Sequence, residues 1–254
     1  MRVKRVLVAA GMTLRELSRG RVALGLAAAV PLLFFVVAGL VSSDRDITVR
    51  LAAAPGADPL SVDERAQSFV FLAAAAASVI GAFMAASLVQ RRVGASRRLV
   101  LCGYGAGELI AAKLLVLLGI VGASAVYTGA LVLALVRPDR PGGVMLGLAL
   151  SCLVYGGYGL LTGTLLRRDL ETVFALLMLI NVDAGWLQNP IYYAGSRSRW
   201  LIESLPGHWP AQTSFLAAFT DHPIHRAAFT AAGYGAVLIL LAFGVYSLRM
   251  RVRR

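Results

Sequence analysis

The sequence predicts an all-α integral membrane protein with six transmembrane helices and both termini on the cytoplasmic side. Three observations carry this reading: the composition, the gathering of apolar residues into runs, and the sidedness of lysine and arginine. Of the 254 residues, 58% are hydrophobic and 15% charged, against roughly 45–50% and 25% in soluble globular domains. Crossing a hydrocarbon layer about 30 Å thick takes roughly 20 consecutive apolar residues as a helix. Runs of that kind occupy residues 22–42, 68–89, 109–136, 144–166, 170–187 and 227–248. Positively charged loops are retained on the cytoplasmic face, and 17 of the 25 Lys and Arg fall on one side of these runs. The other side holds eight, offset by eight acids that include Asp44, Asp46, Asp58, Asp63 and Glu64. Both termini then lie on the basic side, which requires an even number of spans. The net charge of +12 does not point to nucleic acid, because it is divided among short loops and forms no single stripe on a soluble domain.

Residues 1–20 place Val3, Leu7, Ala10, Leu14 and Leu17 at helical spacing, with Lys4, Arg5, Arg15 and Arg19 on the other side. This is the pattern of an interfacial helix lying in the headgroup region; the plainer alternative is a positive flank to the first span. Ala52 and Ala54 imitate a leader cleavage site, but the apolar run before them is too long and ends too early for one. The segment from Asp44 to Gln67 carries Pro55, Gly56 and Pro59 and reads as irregular external structure that could end in a short helix. The second span, with Ala73 to Ala77, Gly81, Ala82, Ala85 and Ala86, is built for close helix packing. Small residues recur as Gly119, Gly122 and Ala123 in the third span and Gly156, Gly159 and Gly163 in the fourth. They fit tight packing within the bundle or, more sharply, a dimer face.

The fifth span contains Asp183, flanked by Asn181, Trp186, Gln188 and Asn189. A carboxylate at the bilayer centre costs about 2.5–3.5 kcal/mol on insertion scales. Asp183 therefore faces protein or water, unless the span ends sooner and the residue meets the external interface. All three histidines, His208, His222 and His225, fall in the last external segment, and Cys102 and Cys152 stand apart. No pair has metal-ligand spacing, and no serine has a histidine at membrane depth. The stretch from Gly107 to Lys113 lacks the glycine before the lysine of a phosphate-binding loop and has Leu114 where Ser or Thr belongs. No catalytic site, metal or bound cofactor is expected on this chain.

After the second span the sequence reads Gln90-Arg91-Arg92-Val93-Gly94-Ala95-Ser96-Arg97-Arg98-Leu99, then Cys102-Gly103-Tyr104-Gly105, Glu108 and Ala112-Lys113. Before the last span come Asn189-Pro190, Trp200, Leu205-Pro206 and Trp209-Pro210. With the basic amphipathic start and six spans, this order resembles a type-2 ABC transporter permease, the membrane subunit of a bacterial exporter. The chain departs from that family's pattern at Gln90, where an acid is usual, at Arg97 or Arg98, where a glutamate is usual, and in having glycines in place of a turn proline.

The resemblance implies a cytoplasmic coupling helix over 91–107 that docks on a separate ATPase subunit, which binds ATP and Mg. It also implies a second permease chain, same or different, and short re-entrant helices within 189–226. Arg91, Arg92, Arg97 and Arg98 would meet carboxylates of the ATPase, and Leu99 and Leu101 would supply apolar contact. Spans two and five would line the pathway, making Phe83, Met84, Asn181, Asp183 and Trp186 its candidate residues. The implied cargo is hydrophobic or amphipathic, such as a drug, an antibiotic or a lipid, and the implied location is the bacterial plasma membrane. The competing readings are an ion- or proton-coupled secondary carrier and a non-transporting membrane scaffold.

Overall fold

In hydrocarbon every backbone N–H and C=O must be bonded within the protein, so apolar runs of this length have the helix as their outlet. The computed structural model describes residues 2–49, 51, 60–90, 104–166, 168–190, 193 and 196–251. Helix α1 (Arg2–Arg19) precedes α2 (Arg21–Val41); strands β1 (Asp46–Val49) and β2 (Leu60–Asp63) lead into α3 (Glu64–Gln90). Then come α4 (Ala106–Leu135), α5 (Pro141–Leu165), α6 (Asp169–Val182), the short α7 (Arg199–Ser204), α8 (His208–Phe219) and α9 (His225–Arg251). Six helical segments, α2, α3, α4, α5, α6 with the turn that follows it, and α9, are long and apolar enough to cross a membrane. The chain is a helical, multi-pass membrane protein by architecture.

The segment between the first two spans departs from its irregular expectation. Strands β1 and β2 pair antiparallel, with Ile47 opposite Val62 and Thr48 opposite Ser61. The alternation that drives this is short: Val49 and Val62 are buried while Asp46, Thr48, Ser61 and Asp63 are exposed, a period of two carried by β-branched residues. Asp63 then caps α3 by accepting from the Ala66 amide at 3.0 Å, a standard N-cap role. Arg65 donates to the Gly39 carbonyl at 3.2 Å, tying the start of α3 to the end of α2.

Helix α5 is the axis of the bundle, and α3 lies along it at backbone contact. A Cβ on Gly81 would fall onto the Cys152 carbonyl, one on Gly159 onto the Ala82 carbonyl, and one on Gly163 against Val89 and Ala86. Other α5 glycines admit other partners: Gly157 faces Leu238 of α9, and Gly147 faces Ser214 of α8. The fourth-span small residues are thus used inside the chain. Gly119 and Gly122 of α4 differ, since a Cβ at either would meet nothing within 4 Å. Cys152 is a free, buried cysteine; Cys102 lies outside the described residues.

The 17 Lys and Arg counted on the basic, cytoplasmic side include Lys113. Helix α4 begins at Ala106, so Lys113 lies about 10 Å along its axis and is buried at 4% exposure. Its ammonium donates to the Tyr246 hydroxyl at 3.1 Å and sits 4.4 Å from that ring's centre, a cation–π placement. Lys113 therefore joins Asp183 as a buried basic or acidic side chain within the spans.

Candidate functional site: a buried polar cluster beneath a returning helix

The backbone ladder of the fifth span shifts at Asp183. The Gln188 amide bonds to the Asp183 carbonyl at 3.1 Å, closing a π turn over Asp183–Leu187. Such turns insert one extra residue and recur at functional sites. Here Asp183 and Ala184 face the bundle while Trp186 is 56% exposed.

Helix α8 returns into the bundle antiparallel to α5. Ala217 lies beside Gly143 and Ser214 beside Gly147. At the far end of α8, Arg140 donates to the carbonyls of Leu216 at 3.2 Å, Thr220 at 2.8 Å and His222, a cation on a helix C-terminus. The near end reaches Tyr155, which is about 21 Å along α5 from Pro141. Of the residues from His208 to Ala218, all except Trp209 are buried, including the polar Gln212, Thr213 and Ser214.

At that depth lies the Asp183 carboxylate, at 1% exposure. Its Oδ2 accepts from the Tyr155 hydroxyl at 2.6 Å and from the Gly207 amide at 3.0 Å, and its Oδ1 accepts from Gln188 Nε2 at 2.6 Å. One carboxylate thereby ties α5, the π turn and the start of α8 together. Its stabilisation comes from three donors and the N-terminal end of α8, since no Lys or Arg is bonded to it among the described residues. Gly207 is required by this approach: a Cβ there would lie 2.5 Å from the Tyr155 hydroxyl and 2.9 Å from both carboxylate oxygens.

The network continues. With its amide nitrogen on Asp183, Gln188 presents Oε1 to His208 Nδ1 at 3.0 Å. A carbonyl only accepts, so Nδ1 carries the proton and a neutral ring leaves Nε2 with its lone pair. That Nε2 is buried with no partner among the described residues. Burial pushes the His208 imidazolium down to about 4. Above it Tyr193 donates to Glu203 Oε1 at 2.7 Å, and burial together with that carboxylate pushes the Tyr193 phenol up to about 12. The arrangement is a relay of hydrogen bonds from a carboxylate to a buried imidazole acceptor. No group of three or more metal-ligating side chains converges among the described residues.

A pH effect follows. Below about pH 6.5 an unfolded chain protonates His208, whereas the folded chain resists until about 4. Stability present at neutral pH is therefore lost on acidification, by about 2 kcal/mol between pH 7.5 and 5. Thermal unfolding in detergent should show the midpoint falling over that window, with the fall reduced in His208→Gln.

Of the sequence-predicted pathway residues, Phe83 and Met84 line one cleft of about 470 Å³ between α2, α3 and α6, with Asp169 and Thr172 also on its wall. Asn181 is exposed and its amide donates back to the Leu177 carbonyl at 2.8 Å. Asp183 faces protein, apart from the exposed Asn181 and Trp186. The coupling residues Arg91, Arg92, Arg97, Arg98, Leu99 and Leu101 lie outside the described residues. Sequence reasoning missed Tyr155 and Gly207 as partners of Asp183 and His208 as the next member of the network, and read Gln188 only as a flank. A tyrosine in the middle of an apolar span was the one available signal, since a phenol at such depth needs a partner. No family model matches the chain, and no curated protein matches it.

Proposed function

We propose that the chain is the membrane-spanning subunit of an ATP-driven exporter of the type-2 ABC class, moving a hydrophobic or amphipathic cargo by alternating access. The observation that carries this reading is the order of elements: amphipathic α1, six spans, a basic segment between the second and third, and a returning pair α7–α8 between the fifth and sixth. In this reading both termini are cytoplasmic, α7 and α8 dip into the outer leaflet of a bacterial plasma membrane, and 91–107 docks on a separate ATPase. Two permease chains pair, and closure of the ATPases drives a rigid-body shift of the halves. The apolar cleft at Phe83 and Met84 suits such a cargo, because ligand sites are mainly apolar with few polar groups.

The test is a mild-detergent pull-down of the tagged chain from its native membrane, with an ATPase assay on the eluate. A stoichiometric nucleotide-binding subunit is expected, lost when Arg97 and Arg98 are reversed in charge. A chain that emerges alone under several gentle conditions would overturn the reading. It would favour a proton-coupled carrier, for which the specific observation is that Lys113 and Asp183 are both buried inside spans.

A further inference from the structure

A second cleft, of about 730 Å³, opens between α1, α2 and α4 on a floor made by Ile80 and Met84 of α3. Its walls are apolar: Leu7 and Leu14 from α1, Leu24 from α2, Leu115 and Ile120 from α4. The space is built by small residues, since a Cβ added at Gly11 or Gly119, both on its wall, would meet nothing within 4 Å. Along α4 it runs from Leu115 to Tyr127, about 18 Å, slightly more than the roughly 15 Å that one leaflet contributes to the hydrocarbon layer. At the Tyr127 end the phenol donates to the Ala28 carbonyl at 2.6 Å, bridging α4 to α2.

Helix α1, which supplies one wall, carries Lys4, Arg15 and Arg19 exposed. They fall on one side of the helix, Lys4 three turns before Arg15, and Arg19 one turn after it. None has an acidic partner among the described residues, and like charges four residues apart destabilise a helix until an anion joins them.

We propose that this cleft binds one acyl chain of an anionic phospholipid, whose phosphate headgroup rests on Arg15 and Arg19, with Lys4 three turns away adding positive potential along the same side. Cations on an amphipathic helix recognise anionic headgroups, and the one-leaflet length of the groove matches a tail that lies along α1 and α4 and stops beneath the Tyr127 bridge. The lipid would seat α1 against α2 and α4 whether or not the chain pairs with an ATPase.

The experiment uses the full chain purified in mild detergent and exposed to an equimolar mixture of phosphatidylglycerol and phosphatidylcholine, with retained lipid counted by native mass spectrometry. Phosphatidylglycerol should be retained over phosphatidylcholine by about tenfold. The double variant Arg15→Gln, Arg19→Gln should bring the ratio close to one, and Gly119→Leu with Ala123→Leu, which fills the cleft, should abolish retention of both lipids. Equal retention by the unchanged chain, or an unaltered preference in either double variant, would overturn the proposal. The glutamine pair alters only exposed side chains, so it remains decisive if the filled variant fails to fold.

Discussion

Replacing Asp183 with leucine should abolish recovery of folded protein. Three buried donors, the Tyr155 hydroxyl, the Gln188 amide and the Gly207 N–H, would lose their acceptor together. Leaving a buried polar group unsatisfied costs about 1–3 kcal/mol, so the three approach the whole stability of a typical domain, about 5–15 kcal/mol. A monodisperse Asp183→Leu protein with an unchanged thermal midpoint would show that the cluster does not hold α8 in place.

The asparagine variant should behave differently, for a reason visible in the donor pattern. Tyr155 and Gly207 both use Oδ2, which an asparagine carbonyl can replace, while its amide would take the Oδ1 position opposite the Gln188 nitrogen. Two donors then face each other unless Gln188 reverses its amide. Reversal presents a nitrogen to His208 Nδ1, which must become the acceptor and pass its proton to Nε2. Asp183→Asn should therefore fold with the opposite imidazole tautomer, read in the nitrogen chemical shifts of His208.

The second large effect concerns the α3–α5 seam. Gly159→Ala would drive a methyl onto the Ala82 carbonyl, and backbone cannot rotate aside as a side chain can. Overpacking costs about 1–3 kcal/mol and sometimes more; contact with rigid backbone belongs at the upper end. Gly122→Ala is the internal control, because its Cβ meets open space, and alanine is favoured over glycine in a helix by about 1 kcal/mol. Size-exclusion profiles and thermal midpoints of the two variants should move in opposite directions.

The six spans were legible because hydropathy is a local property that survives in a one-dimensional string. Asp183 was legible for the opposite reason, as a costly residue inside an apolar run. Its partners were not: Tyr155 is 28 positions away and Gly207 is 24, and helix packing alone decides which span faces which. The β1–β2 pairing escaped because alternation over four residues is weaker than the loop signal of Pro55, Gly56 and Pro59 between the strands. Lys113 escaped because a positive charge near a span end was assigned to the loop beside it. The interaction with Tyr246, 133 positions on, has no sequence signature.

The returning helix also constrains how the nascent chain reaches its final form. At 12 residues, α8 is about 18 Å long, too short to be laid into a bilayer as a span of about 30 Å. It is not among the six segments long and apolar enough to cross a membrane. Its seat is walled by α3 and α5, which are synthesised earlier, and by α9, which follows it. The seat of α8 is therefore complete only when α9, which follows it in the chain, is in place.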